Sequence, residues 1–203
     1  WLGNIAQINP NMYKFFTTDP PELEGFVNSW KFVIRTGTYG EYSDTRGWDY
    51  IKGIREIIQN ALDASDKSNV EIVQNGGFTI IKNKGPPLSY RSWGFGGTTK
   101  KCYERGYYGE GLKVTAAYFA ARGFPLYVVS HNYIYKAVTA PGSNMLFVVW
   151  GVAAPNISPD GTMVIITEPA STDISDIVFK KDKIISEVKM SGDNCWAKMP
   201  NYI

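Results

Sequence analysis

The sequence predicts an α+β fold: a two-layer sandwich with a mixed, mostly antiparallel sheet and helices on one face. Three observations lead there. A helical period runs from about residue 46 to 65, a hairpin signal stands at Asn75-Gly76-Gly77, and a run of strand-like segments follows a second helical stretch. Helix, hairpin, helix and then consecutive strands leave the apolar stripes of the helices to be buried against one sheet face.

Residues 1–45 are aromatic and lack a clear period, with a turn at Asp19-Pro20-Pro21, and read as an N-terminal arm or capping segment. From about Arg46 to Ser65 the pattern is helical, with Asp44 or Thr45 placed to cap it. On that helix Ile51, Ile54, Ile58, Ala61 and Leu62 share one apolar arc. Val70–Gln74 and Phe78–Asn83 are rich in β-branched residues, and the Asn-Gly-Gly between them suits a tight hairpin. Residues 84–108 carry Gly, Pro, Thr, Lys and Tyr without period; so long a loop in a compact domain is a functional lid or a disordered segment. A second helix is expected over Gly109–Arg122, then strands at 125–130, 133–139, 145–152 and 162–167, and a short helix near 173–179. The chain thus divides into an arm (1–45), a central domain (46–170) and a polar tail (171–203) packed on that domain or extending from it.

The 203 residues suffice for one sizeable core. With 44% apolar and 20% charged residues, the composition is that of a folded soluble protein. A net charge of +2 neither selects nor excludes nucleic acid, because only a clustered basic face would be informative. No run approaches the roughly 18 apolar residues that cross a bilayer, and no signal pattern opens the chain. No membrane partner is therefore expected. Cys102 and Cys195 are too few and too far apart for a disulfide framework or a zinc site, which fits a reducing, cytoplasmic setting. Trp1 in place of Met is what a processed protein or a piece of a longer one would show.

Two patterns carry chemistry. In the first helix, offsets of four and seven bring Glu56, Asn60 and Asp63 onto one stripe, nearly opposite the apolar arc. Such a stripe fits a ligand-facing edge, and periodicity alone fits a solvated face as well. Gly106-Tyr-Tyr-Gly109-Glu-Gly111 leads into Leu112-Lys113 at the start of the second helix. Glycines there let backbone N–H groups approach an anion at the positive end of the helix dipole, or simply allow close packing. No Gly-Lys-Ser/Thr follows, so this is not a P-loop, and the glycines follow a long loop rather than a strand, unlike a dinucleotide fingerprint. Arg91, Lys100, Lys101 and Arg105 interleave with Tyr103, Tyr107 and Tyr108, a pattern that fits phosphate contact or a solvated loop. His131, the single histidine, stands at a hairpin turn.

Taken together, an ExxxNxxDA helix, a strand ending in Asn83-Lys-Gly85-Pro-Pro-Leu88, a lid, a GxxGxGLK turn and a Gly161-Thr162 strand follow the order of the GHKL superfamily. The chain resembles that superfamily of Bergerat-fold ATPases. Within it, the resemblance is to the ATPase domain of topoisomerase VI B subunits, over about residues 12–170. It includes Phe15-Phe16, Pro21-Glu-Leu23-Glu-Gly25-Phe26, Arg55-Glu56, Thr99-Lys100 and Asp160-Gly161-Thr162.

The resemblance implies ATP and Mg2+ as cofactors and an ATP hydrolase activity. Glu56 matches the general base that polarises the attacking water, and Asn60 the residue that holds magnesium. Gly106, Gly109, Gly111, Leu112 and Lys113 match the phosphate-binding turn, and Lys100 the lid. Gly85 matches the glycine beside the base, Thr162 a threonine that reaches the adenine, and Asp63 the end of the helix motif. An ATP-gated conformational or dimerisation switch is implied, with a homodimer formed through the arm and a protein partner or DNA-processing complex. Two positions depart from the pattern: Asn83 replaces the adenine-reading aspartate, and Pro87 the second glycine of that motif. The stretch after about 170 is also short for the transducer that carries a phosphate-sensing lysine in the topoisomerases. These departures keep open a nucleotide-binding module with little or no hydrolysis, acting through a partner. A histidine-kinase-like transferase is disfavoured, because His131 lacks a helical setting.

Overall fold

The computed structural model describes residues 5–65, 70–75, 77–94, 110–157 and 159–168. The expected short helix near 173–179 lies outside them. The strands are β1 (Ile5–Gln7), β2 (Val27–Tyr39), β3 (Val70–Asn75), β4 (Phe78–Asn83), β5 (Leu126–Ser130), β6 (Tyr133–Thr139), β7 (Met145–Ala153) and β8 (Thr162–Ile166). They form one sheet in the order β1-β2-β7-β6-β5-β8-β4-β3. Among the described residues four α-helices accompany it: α1 (Pro10–Phe16), α2 (Gly40–Thr45), α3 (Tyr50–Ala64) and α4 (Gly111–Ala121). The hairpin closes with Asn75 opposite Phe78, as its turn sequence predicts.

Every strand pairing among the described residues is antiparallel, which corrects the expected mixed sheet. The reason is topological. β4 and β5 run in the same direction on either side of α4, the arrangement that usually makes a parallel pair. Here β8 inserts between them and is antiparallel to both. Residues 27–39 supply a second correction. Expected within an irregular arm, they form the longest strand, paired with β7 from Val27↔Ala153 to Tyr39↔Met145. Trp30, Phe32, Val33 and Ile34 are the aromatic and β-branched residues that a pleated surface favours.

The cap of α3 is Asp49, whose carboxylate accepts from the Lys52 backbone N–H at 2.7 Å, rather than Asp44 or Thr45. Those two residues already belong to α2, and Gly47 at φ +59° turns the chain between the helices. A glycine takes that left-handed conformation without strain.

Both sheet faces are covered. α3 and α4 pack on one, against Ile81, Leu126, Val128, Ala137, Val148 and Ile166. α4 is buried from Lys113 to Ala120, enclosed between the sheet and its neighbouring helices. Its contact with α3 is close: a Cβ at Gly53 would stand 3.0 Å from the Phe119 ring. The opposite face also carries a helix, contrary to the expected one-sided arrangement. Phe16 of α1 packs there with Val33, Val138 and Val149. Leu23, in the 3₁₀ turn Pro21–Phe26, joins Tyr127, Val129 and Ile134.

An ion pair fastens this second cover. Lys136 Nζ, with its side chain 2% exposed, lies 2.8 Å from Asp19 Oδ1. Tyr127 OH donates to the same carboxylate at 2.6 Å and Trp30 Nε1 at 3.3 Å, while Lys136 also donates to the Thr18 carbonyl. Burial pulls the Lys136 ammonium below the ordinary lysine range, with Asp19 opposing it. Burial and the bond to Asp19 both push the Tyr127 phenol upward. No helix of the described residues is long and apolar enough to cross a membrane.

Candidate functional site

The polar stripe of α3 does not face open solvent along its length. Glu56 and Asn60 are half-buried, while Asp63, near the end of the helix, is exposed. Ile57, outside the predicted apolar arc, is 1% exposed, because α3 packs against α4 as well as the sheet. That close crossing brings the middle of α3 to the start of α4. The Glu56 carboxylate lies against Gly111, where an added Cβ would overlap Oε2 and stand 3.1 Å from Cδ. Only a glycine fits there without displacing Glu56.

Gly111 opens α4, and Glu110 before it makes no side-chain capping bond. The Glu110 carboxylate instead meets Arg46 at 3.6 Å and accepts from Tyr42 OH at 3.4 Å. The positive end of an eleven-residue helix is thus not capped by its own N-cap side chain, and the Glu56 carboxylate lies beside it. Leu112 is half-buried against the core. Lys113 is 3% exposed and its Nζ donates to the Gly94 carbonyl at 2.6 Å. Burial lowers its pKa, and Glu110 partly restores it. In this arrangement the ammonium ties α4 to the chain at Gly94. Lys100, Gly106 and Gly109 lie outside the described residues.

The other end of the site forms where β4 stops. Asn83 sits opposite Thr162 of β8 and is 8% exposed. Two glycines let three elements meet there. At Gly85 a Cβ would lie 2.5 Å from the Ala64 carbonyl at the end of α3, and at Gly161 it would overlap the Asn83 carbonyl. Thr162 Oγ1 shares a hydrogen bond with Ser130 Oγ at 2.9 Å. Ser130 Oγ accepts from the Leu88 N–H at 2.8 Å, and Tyr135 OH donates to the Leu88 carbonyl at 3.0 Å. The segment after Asn83 is therefore pinned across β5 and β6. Tyr90 extends this attachment by stacking on Trp150, at 4.8 Å and 11°.

The structure thus brings Glu56 to Gly111 and gathers Asn83, Gly85 and Thr162 at the far end of α3. Eight residues separate Glu56 from Ala64, or about 12 Å along a helix. Asn60 lies between. Ser130, Leu88 and Tyr135 were not legible as site residues; the one signal was a lone polar side chain ending the otherwise apolar strand Leu126–Ser130. Among the described residues no three His, Cys, Asp or Glu side chains gather as a metal cage. Asn60, half-buried between Glu56 and the end of α3, contributes a neutral amide oxygen to this stripe. No protein-family model matches the chain, and no curated protein matches it at a significant level.

Proposed function

We propose that this chain is a GHKL-type domain, similar to that of topoisomerase VI B subunits, that binds ATP with magnesium and hydrolyses it. The observation that carries the reading is the Glu56 carboxylate against Gly111, at the end of α4 whose N–H groups and dipole attract an anion. A triphosphate at that end would have a carboxylate within reach of its terminal phosphorus. Glu56 orients a water and accepts its proton as the oxygen attacks the γ-phosphorus and the bond to the β–γ bridging oxygen breaks. Asn60 would hold magnesium through its amide oxygen, and the ion would supply charge neutralisation on the phosphate oxygens. Asn83, Gly85 and Thr162 take the base. Nucleotide binding would act as a conformational or dimerisation switch through the N-terminal arm, serving a protein partner or a DNA-processing complex.

A second reading, a binding module with little turnover, draws on Lys113. Its ammonium is engaged with Gly94 rather than presented toward a phosphate.

The glycine turn gives the first test. Gly111→Val places a branched side chain where Glu56 and the phosphates must approach the start of α4. The variant is expected to keep a wild-type circular dichroism spectrum and to show no measurable ATP binding by calorimetry. Unchanged affinity in a folded variant would remove the phosphate seat from α4.

A further inference from the structure

We infer that Arg46, seated on Tyr42, is a positioning residue: it holds the Glu110 carboxylate off the start of α4 and so keeps that helix end open to phosphate. The consequence for phosphate rests on the nucleotide reading above; the placement of Glu110 does not.

The first intrahelical bond of α4 runs from the Val114 N–H to the Glu110 carbonyl at 2.8 Å. The N–H groups of Gly111, Leu112 and Lys113 therefore have no acceptor within the helix. A carboxylate on the residue just before them is drawn by the helix dipole and can accept from them. Released, Glu110 would compete from within the chain for the groups that a phosphate needs. There is room for that movement. A cavity of about 220 Å³ lies against this turn, lined by Thr38, Tyr39, Tyr42, Glu110, Lys113 and Val114.

The contacts of Glu110 point it the other way. Arg46 Nη1 lies 3.6 Å from Oε2, and Tyr42 OH donates to the same oxygen at 3.4 Å. The Arg46 guanidinium lies over the Tyr42 ring, 4.3 Å from its centroid, and its Nη2 donates to the Tyr42 hydroxyl. Tyr42 belongs to α2 and Arg46 is the C-cap of that helix. Packing sets α2 in place, because the Gly40 N–H donates to the Asn144 carbonyl at 2.7 Å and a Cβ at Gly40 would stand 2.7 Å from Cβ of Ala121 in α4. As a stabilising contact the ion pair counts for little, with side chains 49% and 39% exposed. Its effect lies in where it leaves the charge of Glu110.

The test compares the intact chain as wild type, Arg46→Met, Arg46→Lys, Glu110→Gln and the double variant Arg46→Met with Glu110→Gln. Without nucleotide, hydrogen exchange at the Leu112 and Lys113 amides should slow about threefold or more in Arg46→Met, as the released carboxylate caps the helix, and return toward the wild-type rate in the double variant. Titration calorimetry with ATP and magnesium should show Arg46→Met weakened about three- to tenfold. Arg46→Lys and the double variant should both bind within about twofold of wild type, and all melting temperatures should agree within about 4 °C. Two results would overturn the inference and leave ATP binding standing. One is Arg46→Met binding as tightly as wild type. The other is the double variant binding as weakly as Arg46→Met, which would make Arg46 itself the phosphate contact. Unchanged exchange in Arg46→Met would overturn the placement of Glu110. A wild type that binds no ATP would overturn the nucleotide reading, and the exchange rates would then decide the role of Arg46 by themselves.

Discussion

Glu56→Gln is expected to hold ATP and lose its turnover, by about 10²–10⁴-fold, the usual contribution of a general base. The side chain keeps its length and its place against Gly111 but loses the basic oxygen that would take the proton from water. Affinity should hold or rise, because the change removes a negative charge beside Gly111, the helix end where the proposed function seats the phosphates. Asn60→Ala, one turn along the same stripe, should behave in the opposite sense and weaken magnesium-dependent binding itself. Steady-state phosphate release measured beside calorimetric affinity checks the pair. Equal turnover in wild type and Glu56→Gln would show that another group accepts the proton. A wild type that binds ATP tightly without turnover would select the binding module.

Lys136→Met is expected to lower the stability of the fold by about 3–5 kcal/mol, the usual loss when one partner of a buried ion pair is removed. The Asp19 carboxylate would keep Tyr127 and Trp30 as donors, yet its charge would be uncompensated with only 7% of the side chain exposed. For a chain of this size that corresponds to a fall in Tm of roughly 6–20 °C. Asp19→Leu combined with Lys136→Met should recover most of the loss, since replacing both charges by apolar groups of similar volume is often neutral. Urea unfolding of the three variants distinguishes the cases. A loss below about 1 kcal/mol in the single variant would mean that the pair is effectively solvated. ATP affinity below the melting range should not change, because the pair lies on the face away from α3 and α4.

Local chemistry explains which parts were readable. The hairpin follows from Asn-Gly-Gly, and Tyr133–Thr139 has the predicted bounds because turns flank it on both sides. β2 was missed because residues facing the two sheet faces are both partly covered, so Trp30, Phe32, Val33 and Ile34 show no clean alternation. The insertion of β8 between β4 and β5 is a pairing between distant segments, and no window of sequence contains it. In the site, the spacing of Glu56, Asn60 and Asp63 was visible, but only packing shows that Asp63 stays exposed while Glu56 reaches Gly111. Lys113 read as a phosphate contact from its motif; its bond to Gly94, nineteen residues away, has no local signature.

The sheet's double cover has a consequence for how this protein can change over generations. In β5 and β6, neighbours in sequence serve different traits. Ser130 and Tyr135 hold Leu88 on the face that carries α3 and α4, while Tyr127 and Lys136, directly paired across the two strands, anchor Asp19 on the opposite face. A scan of single substitutions along these strands should therefore read as a parity code. Changes at 130 and 135 are expected to alter nucleotide affinity, and those at 127 and 136 thermal tolerance alone. Because Ser130 and Tyr135 are themselves buried, changes of the first kind are expected to lower stability too, so binding can drift only as far as robustness allows within this stretch of ten residues.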